Sequence, residues 1–213
     1  MSGYRNMSIK WALKRNGRRT CCCCSKPRHL LSTRCLHHYN VWARTGNSFG
    51  KLYYASDFAL TRIETAECIR RNRNHILISS ALGFLDRVLF RSTRTGNPKL
   101  NNVADRYVRR LAEAEVDIFS LFSLLAAVGV EHFRHHSRFT DLENMKRNMA
   151  NLFIRFVPHK SKHLQTTACR QLGNLLWDRL GKAILVIKDA CDRKEEENRK
   201  RKQLEKVEFK ISD

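Results

Sequence analysis

The stretch 116-VDIFSLFSLLAAVGV-130 decides the fold. Its fifteen residues are apolar almost all round, with Asp117 and two serines the main exceptions. A membrane span needs about 20 apolar residues, so this run is too short to cross a bilayer. A helix apolar on every side and of this length belongs at the centre of a bundle, where other helices cover it.

Upstream, Asn102 suits a helix cap, and Asp105 falls where an acid favours the positive end of the dipole. Val103, Tyr107, Leu111, Ala114, Ile118, Leu121, Leu125 and Val128 then recur at helical spacing. The pattern predicts one long helix from Asn102, ending at Gly129. Downstream, Thr140-x-x-Glu143 reads as a capping box. It opens a helix carrying Leu142, Met145, Met149, Leu152, Phe153 and Phe156, which Pro158 stops. A further helix runs from about Leu164 to Cys191, with Gly173 and Gly181 as points of weakness or close helix contact. On the other side of the central run, Leu77, Ala81, Phe84, Leu85 and Val88 give one more apolar face. Residues 58–75 are a weaker helical pattern on Phe58, Ile63 and Ile69.

Strand alternation is scarce, so the expected fold is all-α. Residues 57–191 form a bundle of about five helices. Residues 1–56 read as an irregular basic arm, and 192–213 as a charged helical tail. In the tail Glu195, Glu196 and Glu197 precede Arg199, Lys200 and Arg201 by four, which pairs them on a solvated helix.

The chain carries 41 Lys and Arg against 20 Asp and Glu, a formal net charge of +21. Such a field attracts polyanions and anionic surfaces. The charge is concentrated at the start: the first acid is Asp57. No apolar run of secretory type follows the first basic residues, and the arm is not the Ser-rich amphipath of a transit peptide. The expected location is cytoplasmic or nuclear, neither secreted nor membrane-spanning, and reduced cysteines are expected there.

Inside the arm stands 21-CCCCSKPRHLLSTRCLHH-38. Cys21-x2-Cys24, followed by His29 and Cys35, gives four thiol and imidazole ligands of the kind zinc takes. The spacing is one residue longer than the C-x2-C-x4-H-x4-C of retroviral zinc knuckles, and His37 and His38 offer other ligand sets. Two further readings stand beside one zinc ion. Cys21, Cys22, Cys23 and Cys24 next to basic residues can accept S-acylation and anchor the chain to a membrane surface. Alternatively, the tract is a reduced run without chemistry.

A nucleic-acid interface is expected on Arg15, Arg18, Arg19, Lys26, Arg28 and Arg34 of the arm and on Arg70, Arg71 and Arg73. The segment 131-EHFRHHSRF-139 reads as a basic loop of the same kind, and Arg199, Lys200, Arg201 and Lys202 as a candidate nuclear-import run. RNA is favoured over DNA because a knuckle-like arm suits unpaired strands and no recognition-helix motif occurs. Catalytic signatures are absent: the sequence has no H-E-x-x-H, phosphate-binding glycine loop or G-x-S-x-G. The expectation is a non-enzymatic regulatory protein that binds nucleic acid, with the bundle available to a protein partner.

The segments 152-LFIRFVPHK-160 and 172-LGNLLWDRL-180 lie in a helical, basic C-terminal half. They resemble the C accessory proteins of paramyxoviruses over about a third of the chain. That resemblance implies a partner-binding role that restrains host interferon signalling and modulates viral RNA synthesis. No residue role is carried over from it.

Overall fold

The computed structural model describes residues 14, 19–94, 102–135, 137–157 and 166–211. Among these are seven α-helices: α1 (Leu36–Thr45), α2 (Ala59–Arg71), α3 (Ile76–Arg94), α4 (Asn102–Glu113), α5 (Ile118–Arg134), α6 (Leu142–Ile154) and α7 (Thr166–Ile211). A 3-10 turn, Ala55–Phe58, leads into α2. The described residues contain no strand beyond one isolated bridge, Thr20 to Pro27.

The apolar run forms the centre, as its composition requires. Every residue of α5 from Leu121 to Glu131 is buried, and α2, α3, α6 and α7 all pack on it. Two glycines allow these helices to approach closely. A Cβ on Gly129 would stand 2.5 Å from Ile184 of α7, and one on Gly173 would stand 2.6 Å from the Lys146 carbonyl of α6. Gly129 therefore lies within α5 at a helix crossing and does not end it.

The long helix expected from Asn102 to Gly129 is two helices. The chain breaks after α4, where Glu115 takes the left-handed conformation (φ 48°). It restarts at Asp117, whose carboxylate accepts the Phe119 and Ser120 N–H groups at 3.2 and 3.0 Å. The apolar stripe runs through the break because both helices bury the same side. The Ser120 hydroxyl, with these backbone donors, holds the Asp117 carboxyl below the usual range although burial opposes it. Asp117→Ala should cost about 1 kcal/mol in urea unfolding at pH 7. A lowered folded pKa stabilises above the unfolded value, so the gap from wild type should close below about pH 4. Equal stabilities at pH 7 would show that the cap does not hold the break.

Two other readings change. The cap of α6 is Asp141, which accepts the Asn144 N–H at 2.7 Å, and not Thr140. The weak pattern at 58–75 has a cause: α2 buries Thr61, Thr65 and Cys68 beside Ile69, while Ile63 is exposed. Thr65 donates to the Ser123 carbonyl of α5 at 3.0 Å, so this helix packs through polar groups with partners. The last helix and the tail form one continuous α7 of 46 residues, about 70 Å long. Glu195 pairs with Arg199 and Glu196 with Lys200, as the spacing predicts.

The N-terminal segment, expected to be irregular, folds onto the bundle through α1. A polar face of α6 receives it. Asn144 donates to the Thr45 carbonyl at 3.1 Å, and Arg147 to the Ala43 carbonyl at 3.2 Å. Asn148 donates to the Lys51 carbonyl at 3.0 Å and accepts the Tyr53 N–H at 2.9 Å. These side chains are buried, and the bonds to the Thr45 carbonyl and from the Tyr53 N–H are buried with them, so those backbone groups are satisfied inside the fold.

Candidate metal centre

The cysteine tract forms a tight backbone turn. Cys21 N–H donates to the Lys26 carbonyl at 2.8 Å, and Arg28 N–H to the Arg19 carbonyl at 3.0 Å. Two further bonds tie this turn to the next segment: Cys22 N–H to the Thr33 carbonyl at 3.0 Å, and His29 N–H to the Arg34 carbonyl at 2.7 Å. Cys35 then sits at the N-cap of α1. The residue three positions on, His38, shares its face on the first helical turn.

Four side chains converge. Cys24 Sγ lies 3.8 Å from Cys35 Sγ, and His38 Nδ1 lies 3.4 Å from Cys35 Sγ and 3.6 Å from Cys21 Sγ. The ligand atoms of Cys21, Cys24, Cys35 and His38 all fall within 4.8 Å of one another. A tetrahedral ion about 2.3 Å from sulfur and about 2.0 Å from nitrogen separates its ligands by about 3.8 Å (S to S) and about 3.5 Å (S to N). The observed spacings match that requirement, so this group can hold a metal ion.

The electrostatics also suit a cation. Burial pushes the Cys21 thiol up, but backbone N–H groups of Cys35, Cys23 and Cys24 and the His38 side chain outweigh it and bring it to about 5. The Cys23 N–H donor lies 3.3 Å from the sulfur. The Cys24 thiol is lowered by a backbone bond from Lys26, yet burial and the neighbouring Cys35 and Cys21 together raise it. Without a cation the cluster thus favours one thiolate and resists further negative charge. A bound divalent ion removes that conflict and displaces the remaining protons.

Three of the four residues expected to ligate come together here, and the histidine differs. His29 is not in the cluster; its ring packs against Tyr39 at 5.6 Å. Its backbone bond to Arg34 fixes it on the connecting turn, with its ring turned to Tyr39 and not to the sulfurs. The signal for His38 is present in the sequence: Cys35-x2-His38 repeats the two-residue gap of Cys21-x2-Cys24. Of the cysteines named for acylation, Cys21 is buried and Cys24 faces Cys35, which leaves Cys22 exposed and Cys23 half-buried.

The basic residues divide into two groups. Arg15 and Arg18 lie outside the described residues. Arg19 and Lys26 are exposed, Arg28 donates to the Thr20 carbonyl at 2.7 Å, and Arg34 bonds Ser48 Oγ at 2.6 Å while lying 4.9 Å over the Trp42 ring. Arg70, Arg71 and Arg73 are exposed around the end of α2; Arg70 lies over Phe119, and Arg71 pairs with Glu67. Arg199, Lys200, Arg201 and Lys202 stand on the exposed part of α7. The segment 131–139 is not a free basic loop. Arg134 turns inward to Glu64 (2.7 and 2.9 Å) and Asp192 (2.8 Å), and Arg138 to Glu131 (2.7 Å).

No helix among the described residues is long and apolar enough to cross a membrane. Comparison with protein-family models, curated proteins and solved structures gives no match. The resemblance of 152–160 and 172–180 to paramyxovirus accessory proteins therefore has no matched relative behind it.

Proposed function

We propose that this chain is a non-enzymatic nucleic-acid-binding regulator, selective for single-stranded RNA, whose N-terminal quarter folds round one structural zinc ion. The observation that carries this reading is the Cys21/Cys24/Cys35/His38 cluster lying in a segment with no acid before Asp57. Three thiolates and one imidazole are a zinc donor set, and four protein ligands leave no open position for substrate. The ion's task in this reading is to hold a binding surface in shape.

That surface has the two ingredients unpaired strands need. Aromatic rings line it: Tyr39 packs at a tilt between His29 (5.6 Å) and Trp42 (6.1 Å), and Phe49, 68% exposed, packs edge-on against His38 at 5.4 Å. Bases stack on such rings, which duplexes do not offer freely. Cations on the same folded segment, including Lys26, Arg28, Arg34 and Lys51, serve the phosphates.

Fluorescence anisotropy with a labelled single-stranded RNA tests the reading. With about six phosphates neutralised, affinity should fall about 300-fold between 50 and 200 mM salt. Phe49→Ala should weaken binding by about tenfold at fixed salt, the cost of one lost stacking contact. An affinity unchanged by salt, or a duplex DNA bound more tightly than the single strand, contradicts the proposal.

A further inference from the structure

Cys22 and Cys23 take no part in the four-ligand cluster, yet they stand against it. Their sulfurs are 3.5 Å apart, and the sulfurs of Cys21, Cys22 and Cys23 all lie within 4.8 Å of one another. This convergence is built by the backbone: the bonds from Cys21 N–H to Lys26 and from Cys22 N–H to Thr33 fix the turn from which the side chains project. The group contains sulfur alone, and no carboxylate occurs in the first 56 residues. Hard cations such as magnesium and calcium therefore find no ligands here.

A three-coordinate ion about 2.3 Å from each sulfur needs its sulfurs about 4.0 Å apart, within the range this trio spans. Zinc prefers a fourth ligand, whereas a soft monovalent ion is satisfied by thiolates in low coordination number. Cys21 can serve both centres, because a thiolate bound to one ion keeps lone pairs for another. The Cys3His centre with zinc is net anionic, so its bridging sulfur remains electron-rich. Cys22 is exposed and Cys23 half-buried, which leaves a path for the ion to arrive.

We propose that Cys21, Cys22 and Cys23 form a second metal site, for a soft thiophilic monovalent ion of the copper(I) class, joined to the zinc centre through Cys21. The bridge rests on the zinc reading above. Binding is a ligand exchange: the ion leaves its donor's ligands, the Cys22 and Cys23 thiols release their protons to solvent, two metal–sulfur bonds form there and a third to Cys21, and no oxidation state changes.

The test uses the full chain, purified anaerobically under reductant and assayed first for zinc. Copper(I) is then offered from a chromophoric copper(I) chelator, with zinc release followed by an indicator. Wild type should withdraw one equivalent of copper and keep its zinc. The Cys22→Ser/Cys23→Ser variant, with the same zinc content and helical circular dichroism, should hold copper at least 100-fold more weakly. Failure of wild type to withdraw copper overturns the proposal. So does equal uptake by the variant, or release of one zinc per copper bound, which would put the ion in the Cys3His cluster. The zinc assay made before copper is added judges the zinc reading separately from the wild-type and variant difference.

Discussion

On the zinc reading, stripping the ion with a high-affinity chelator should unfold residues 19–50 and leave the helical bundle standing. The segment has little else to hold it. Its one helix, α1, has ten residues, which is marginal in water without tertiary support. Its bonds to Asn144, Arg147 and Asp141 are each worth about 1 kcal/mol net. A structural zinc ion contributes about 10–16 kcal/mol in small zinc-folded peptides, several times that sum. The bundle, in contrast, has its own core on Leu121, Phe122, Leu125, Met149 and Phe153. Hydrogen exchange should therefore lose protection at the Cys21, Cys22, His29 and Tyr39 amides, while amides of α5 remain protected. Identical exchange with and without chelator would mean that the segment folds by its own contacts.

The second large effect is expected at Arg134. This guanidinium joins three helices: it forks onto Glu64 of α2, reaches Asp192 of α7, and itself belongs to α5. Its side chain is 17% exposed. Arg134→Met keeps the apolar stem and strands the Glu64 carboxylate, while Asp192 keeps only Lys188 at 3.0 Å. Breaking a fully buried pair costs about 3–5 kcal/mol; partial exposure of Glu64 and Asp192 brings the expected loss to about 2–3 kcal/mol in urea unfolding. The pH dependence follows from Asp192. Burial pushes its carboxyl up, but Arg134 and Lys188 outweigh burial and hold it below the usual range. Such a group stabilises above its unfolded value, near pH 4, and the stabilisation is lost as pH falls through the lower folded one. Removing Arg134 should therefore matter most at pH 7, and the difference from wild type should shrink below about pH 4. A variant as stable as wild type at pH 7 would mean the network adds nothing to the helix junction.

The sequence made the bundle legible because burial there is carried by apolar side chains at regular spacing. Leu121, Leu125, Met145, Met149, Leu172 and Leu176 fall where periodicity puts them, all buried. What could not be read was burial of polar groups. Thr61, Thr65, Asn144, Asn148 and Arg147 look like surface residues until their backbone and carboxylate partners are known. Arg134 likewise reads as a phosphate ligand, because charge pairs across 58 and 70 residues leave no local pattern. The break at Glu115 was hidden for a different reason: one change of backbone sign interrupts a helix without interrupting its apolar stripe. At the candidate centre the cysteines were legible from spacing, whereas the Cys35-x2-His38 gap was one of several histidine choices the sequence offered. Choosing between His29 and His38 requires knowing that Cys35 begins a helix.

That choice is also where the account is most exposed. Zinc per chain, measured by elemental analysis on protein purified under reductant, should be about one for wild type and for His29→Ala. On the proposed Cys3His set, His38→Ala removes a direct ligand, so its zinc affinity should fall by more than about 100-fold, beyond the loss typical of an outer-shell partner. Zinc retained by His38→Ala and lost by His29→Ala would contradict the centre described here.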